Sequence, residues 1–169
     1  MNTLFEEPGK EKGSKKILFG ALIVAILAVV AVIWWISLKP TTTQIVQDAM
    51  EGAYREGSPE FQNYTRKIVA QTEEDQTTKS PTAMGTVSMY ITGTIRNFTG
   101  KTLTGLEIKV GMVDTFGNLL KEKTVVVIPK QRETLENNQS MAVKVTIEGF
   151  DPKDDLANIR WKVTAIKVQ

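Results

Sequence analysis

Hydrophobic and polar positions divide the chain into three regimes. From Ile17 to Leu38 the sequence ILFGALIVAILAVVAVIWWISL holds 22 residues without a charge, which as a helix rising about 1.5 Å per residue is long enough for the ~30 Å apolar core of a bilayer. The segment ends in Trp34-Trp35-Ile36 rather than at a small-x-small cleavage site, so it is expected to be an uncleaved transmembrane helix and not a signal peptide. Residues 39–83 are polar, with two helix-compatible pieces. In the first, Ile45, Val46, Ala49, Met50 and Ala53 follow a 3.6-residue period and Gly57 stops the helix. In the second, Ser58-Pro59-Glu60 supplies an N-cap and a first-turn proline, and Phe61, Tyr64, Ile68 and Gln71 fall on one face. The run from Glu73 to Pro81 has almost no apolar content and reads as a solvated linker.

From residue 84 to 169 the period changes to two. Val87, Met89, Ile91, Gly93 and Ile95 face one way, as do Leu106, Ile108, Val110 and Met112, and again Met141, Val143, Val145 and Ile147. Val125 to Ile128 lacks alternation and fits a strand covered on both faces. At the end Ile159, Trp161, Val163 and Ala165 alternate, then Ile166 and Val168 continue out of phase, which implies a bulge near Ala165. Turn signals at Asn97 to Lys101, Asp114 to Asn118 and Glu133 to Ser140 separate these strands. Such strands bury their apolar faces only by stacking. The expected fold is therefore all-β, an immunoglobulin-like sandwich of about five to seven strands, preceded by one transmembrane helix and short juxtamembrane helices. The expected organisation is a cytoplasmic tail over 1–16, a membrane span over 17–38, a helical spacer and linker over 39–83 and an extracytoplasmic β-domain over 84–169.

Charge orients this plan. Lys10, Lys12, Lys15 and Lys16 precede the span, whereas only Lys39 and Arg55 follow it closely. This bias holds the N-terminus in the cytoplasm of what reads as a bacterial inner membrane protein and places the β-domain in the periplasm. Trp34 and Trp35 then fall at the outer interface, where an apolar ring with a polar N–H is at home. Gly20, Ala21, Ala25, Ala28 and Ala31 recur at spacings of three to five and gather small side chains into a stripe suited to close helix packing; the bland alternative is that Ala is common in membrane helices.

Composition narrows the chemistry. Past residue 16 the chain carries 17 basic and 16 acidic residues, which gives no electrostatic footprint for nucleic acid. It has neither Cys nor His, so the usual nucleophile, general base, and zinc or haem ligands are missing. Phosphate-cradling loops and nucleophile elbows are missing as well. No enzyme, cofactor, metal site or small-molecule substrate is expected. Asp151, Asp154 and Asp155 share a loop, which reads as a solvated turn before it reads as a cation site. Asp114 with Asn118 reads as a hairpin device, and Asn63-Tyr-Thr65, Asn97-Phe-Thr99 and Asn138-Gln-Ser140 as chance matches to the glycosylation triplet.

Gly93-Thr-Ile-Arg-Asn97, Gly100-Lys-Thr-Leu103, Leu106-Glu-Ile-Lys-Val110, Val113-Asp114-Thr-Phe-Gly117-Asn118 and Leu135-Glu-Asn-Asn-Gln-Ser140 resemble the bacterial FxLYD-type Ig-like domains, over about residues 85–149. The eponymous segment reads Val110-Gly-Met-Val-Asp114 here, and Asn137-Asn138 stand where Pro-Gly is expected. The resemblance implies an Ig-like sandwich, often membrane-tethered, and brings no catalytic residues. Two functions are expected on these grounds. The first is an accessory or structural subunit whose partners are the lipid bilayer and other membrane protein subunits. The second is a membrane-tethered module that recruits a periplasmic protein or glycan.

Overall fold

The computed structural model describes residues 15–37 and 42–169, with side chains over 22–32, at 34 and over 46–169. The expected tail up to residue 14 and residues 38–41 lie outside the described residues. Two compact units result, 1–41 and 42–169.

The first unit is helix α1, Lys15–Ser37. Leu, Ile and Val side chains between 22 and 32 are 53–67% exposed on every side of it, so its described part has no polar face. Among the described residues no helix meets the length and hydropathy of a membrane span.

The second unit begins with α2, Thr42–Met50, continues through β1, Tyr54–Arg55, and α3, Pro59–Thr65, and enters strands β2, Ile68–Thr72, and β3, Thr78–Pro81. Five longer strands follow: β4, Val87–Asn97; β5, Leu103–Val113; β6, Leu119–Ile128; β7, Ser140–Phe150; and β8, Asn158–Val168. These form two antiparallel sheets packed as a β-sandwich. One has the order β1-β8-β5-β6; in the other, β4 pairs with β7 on one side and with β2 and β3, end to end, on the other. Ile91 and Ile95 of β4, Val143 of β7, Leu106, Ile108 and Val110 of β5 and Ile166 of β8 are buried between the sheets, as the alternation requires.

Eight strands form where about five to seven were expected, because the segment expected as spacer and linker supplies three of them. Ser58 caps α3 by accepting from the Phe61 N–H at 3.2 Å, and Phe61 is buried. The helix stops at Thr65, however, and Ile68 to Thr72 pair with Asn97 to Gly93 instead of continuing it. Backbone pairing along an open edge of β4 outweighs a short helical pattern. Residues 78–81 likewise pair with Tyr90 to Val87.

The expected irregularity in β8 is present. Glu107 faces Ala165 and Ile108 faces Val163, leaving Thr164 extra, and its hydroxyl turns to Glu107 Oε1 at 2.7 Å. Asn138 occupies the left-handed region at φ 63°, a conformation asparagine tolerates where glycine is commoner. This explains how Asn137-Asn138 serves the turn without Pro-Gly.

Candidate functional site

The sandwich is closed on one side and open on the other. On the closed side, residues of β6 and the loop after it cover the free edge of β7. The Gln131 carboxamide forms two 2.9 Å bonds with the Lys144 peptide, donating to its carbonyl and accepting from its N–H. Lys123 Nζ donates to the Thr146 carbonyl at 2.8 Å, Lys121 Nζ reaches the Gly149 carbonyl, and Arg132 donates to Ser140 at 3.1 Å. Side chains here take the place a further strand would occupy, which blocks edge pairing.

On the open side Trp161 of β8 bridges the sheets. Its Nε1 donates to Thr72 Oγ1 of β2 at 2.8 Å, and its ring lies so close to Gly93 of β4 that a Cβ there would come within 2.5 Å. Clefts lie on both sides of it. One, of 370 Å³, is lined by Phe61, Thr65, Ile68, Ala70, Ile95, Ile108, Lys162 and Val163 with Trp161 itself. The other, of 280 Å³, is lined by Thr72, Glu74, Thr77, Met89, Met112 and residues 156–159. A third, of 490 Å³, lies between α2 and Arg55, Glu107 and Val126.

The 370 Å³ cleft is mainly apolar with few polar groups, the character of a binding surface, whereas the 280 Å³ cleft exposes more polar than apolar surface and the third is rimmed by Asp48, Glu51, Arg55 and Glu107. The ionisable groups of the first two are Lys162 and Glu74, one in each; Lys162 is already paired with Glu56 at 2.9 Å. Glu107 in the third is held by Arg55 and Thr164. Among the described residues no three acidic side chains converge as metal ligands, and no buried polar side-chain atom lacks a partner.

The singled-out carboxylates serve their own turns. Asp114 accepts from the Asn118 N–H at 2.8 Å and from its side-chain amide at 2.9 Å, and these bonds hold its carboxyl below the usual range. Asp155 accepts from the Thr115 hydroxyl and, at 3.0 Å, from its N–H, which lowers its pKa too. Asp151 accepts from the Lys153 N–H and Asp154 from the Asp151 N–H, each at 2.8 Å.

Of the expected interface residues, Ala25, Ala28 and Ala31 lie on α1 with exposed side chains, and Trp34 is 69% exposed. Gly20, Ala21 and Trp35 belong to the α1 backbone, but their side chains lie outside the described set. Trp161, Gln131, Lys121 and Lys123 were not singled out by sequence. Only the lone Trp among β8's inward residues was a visible signal.

No family model and no curated protein matches the chain. Several solved structures are similar in part, and three of them show the level of likeness. Structural genomics target SoR45 aligns with a TM-score of 0.39 at 12% identity, covering 61% of this chain and 84% of that one. A DUF1425 family member from Shewanella sp. pv-4 gives 0.31 at 19%, covering 57% and 75%, and the putative ApaA protein from Bordetella pertussis gives 0.32 at 10%, covering 60% and 86%. Likeness at this level assigns no function.

Proposed function

We propose that this chain is a non-catalytic, single-pass accessory subunit of a larger bacterial inner-membrane assembly, with its N-terminus in the cytoplasm and its sandwich bracing the periplasmic side. The observation that carries the reading is α1. The described side chains of this 23-residue helix, at 22–32 and 34, are all apolar and all exposed; such a surface calls for lipid or other helices as solvent, since water around it is costly. Ala25, Ala28 and Ala31 offer the small-residue surface along which a second helix approaches, and Trp34 and Trp35 mark the outer interface.

The sandwich itself is read as immunoglobulin-like and of the FxLYD type. Supporting this, the resembling residues have structural work: Gly93 admits Trp161, Asn97 ties two turns together, and Leu135 is buried. A second reading, a tethered module that recruits a periplasmic protein or glycan, is favoured by the clefts beside Trp161.

The natural absence of Cys makes the topology directly testable. Single cysteines at Lys12 and Lys130 are probed with a membrane-impermeant maleimide on intact spheroplasts. Labelling at 130 but not at 12, with resistance to alkaline carbonate extraction and co-sedimentation with other membrane proteins in mild detergent, is the expected result. Labelling at 12, release by carbonate, or sedimentation as a free chain overturns the reading.

A further inference from the structure

Two hairpins at one end of the sandwich are built alike. Thr82-Ala83-Met84-Gly85-Thr86 joins β3 to β4, and Asp114-Thr115-Phe116-Gly117-Asn118 joins β5 to β6. In each, the first N–H donates to the fifth carbonyl, at 2.8 and 3.0 Å, and the glycine N–H donates back to the first carbonyl, at 3.1 and 3.0 Å. The glycines sit at φ 76° and 84°, where only glycine is unstrained. The first and fifth side chains also bond, Thr82 Oγ1 to Thr86 Oγ1 at 2.7 Å and Asn118 Nδ2 to Asp114 Oδ2 at 2.9 Å.

The third residue of each hairpin is large and apolar. Met84 is 91% and Phe116 89% exposed, the two most exposed large hydrophobics among the described residues. Neither contributes to the core. Both stand on turns closed by side chain as well as backbone, so little freedom is lost when they are buried by a partner, the property of an anchor residue.

The hairpins belong to opposite sheets and meet at one loop. Val87 at the start of β4 faces Phe150, Val113 at the end of β5 faces Asn158, and residues 151–157 run between those points. Asp155 in that loop accepts from Thr115. The two turns and the loop carry Asp114, Asp151, Asp154 and Asp155 against Lys153, and the Arg160 guanidinium lies beside Gly117 of the second turn, which leaves four negative against two positive charges, a net of −2. An anionic lipid surface is repelled by that charge. A protein surface with apolar sockets and a Lys/Arg rim is attracted.

We infer that Met84 and Phe116 form a paired docking tip for a protein partner that presents an apolar surface rimmed by basic side chains. This rests on the accessory-subunit reading and names the surface through which the sandwich engages its assembly.

Full-length chain in its own membrane tests it. A photo-crosslinking phenylalanine analogue is placed at 84, at 116 and, as a control at the opposite end, in place of the exposed Phe98; in parallel, M84S/F116S is compared with wild type on a native gel after mild solubilisation. The expected result is one protein adduct of the same mass from 84 and 116, absent from 98 and suppressed by about 0.5 M salt, with M84S/F116S losing about tenfold or more of the complex band at an unchanged melting temperature. A wild-type complex that M84S/F116S leaves intact, an equal adduct from 98, or lipid adducts from 84 and 116 overturns the docking tip while the subunit reading stands. Wild type running only as a free chain overturns both.

Discussion

The side-chain amide of Asn97 donates to the carbonyl of Leu135 at 2.9 Å, joining positions 38 residues apart. The same nitrogen donates to the Lys101 carbonyl at 2.8 Å, and Asn97 Oδ1 accepts from the Thr99 N–H at 2.9 Å and its hydroxyl at 2.7 Å. Asn97, Thr99 and Leu135 are all buried. Asn97→Ala would leave the Thr99 N–H without its acceptor and take a second donor from the Leu135 and Lys101 carbonyls, which keep the Leu103 N–H and the Thr99 hydroxyl, so a loss of roughly 1–3 kcal/mol is expected. Asn97→Asp, which keeps the acceptor but loses the donor and buries a charge, should cost at least as much. Thermal unfolding of full-length protein in detergent, followed by near-ultraviolet circular dichroism, measures both.

Gly93 is required by Trp161. A Cβ at 93 would lie 2.5 Å from the indole and 2.8 Å from the Gln71 carbonyl. Gly93→Ala is expected to cost roughly 1–3 kcal/mol and to break the Trp161–Thr72 bond. Trp161→Leu in the same chain should restore only part of the loss, because the clash with the Gln71 backbone remains. The melting temperatures of the two single variants and the double variant decide this.

The Lys144 amide is protected by a side chain in place of a strand. Gln131→Ala removes the bond from the Lys144 N–H as well as the one to its carbonyl, and at about 1 kcal/mol for the N–H bond its exchange should quicken by roughly fivefold. Loss of the block should also raise self-association at high protein concentration. Amide exchange by mass spectrometry and size-exclusion chromatography give the two readouts.

Asp155 and Asp114 set an acid-side dependence. Hydrogen bonds from Thr115 and from Asn118 lower their folded pKa values below 3.8. Groups with depressed folded pKa values contribute stability above the unfolded value, and that contribution is lost as pH falls through the folded value. D155N should therefore be less stable than wild type at pH 7, with the gap narrowing only below about pH 3.8. A constant gap from pH 7 to pH 2 would show that the carboxylate charge plays no part.

The longer strands were legible because their periodicity reports burial directly. Met141, Val143, Val145 and Ile147 alternate in sequence and are all buried. The bulge at Thr164 was legible as a phase change after Ala165. Strands β2 and β3 were not: their described side chains are all intermediate or exposed, so no apolar alternation announces them, and what makes them strands is the unpaired edge of β4. The Trp161–Thr72 bridge spans 89 residues, and local pattern carries no trace of such a contact. One of the two apolar-tipped hairpins was visible as Asp114 to Asn118, while its counterpart at Thr82 to Thr86 lay beside a segment read as linker.

Migration of the full-length chain on a native gel, after gentle solubilisation from its own membrane, bears most directly on the assignment as an accessory subunit. One defined band shared with other membrane proteins is expected, shifting toward free chain when Ala25 and Ala28 are replaced by Leu to fill the small-residue surface of α1. Migration of the unaltered chain as a free monomer would contradict the assignment and leave a tethered binding module in its place.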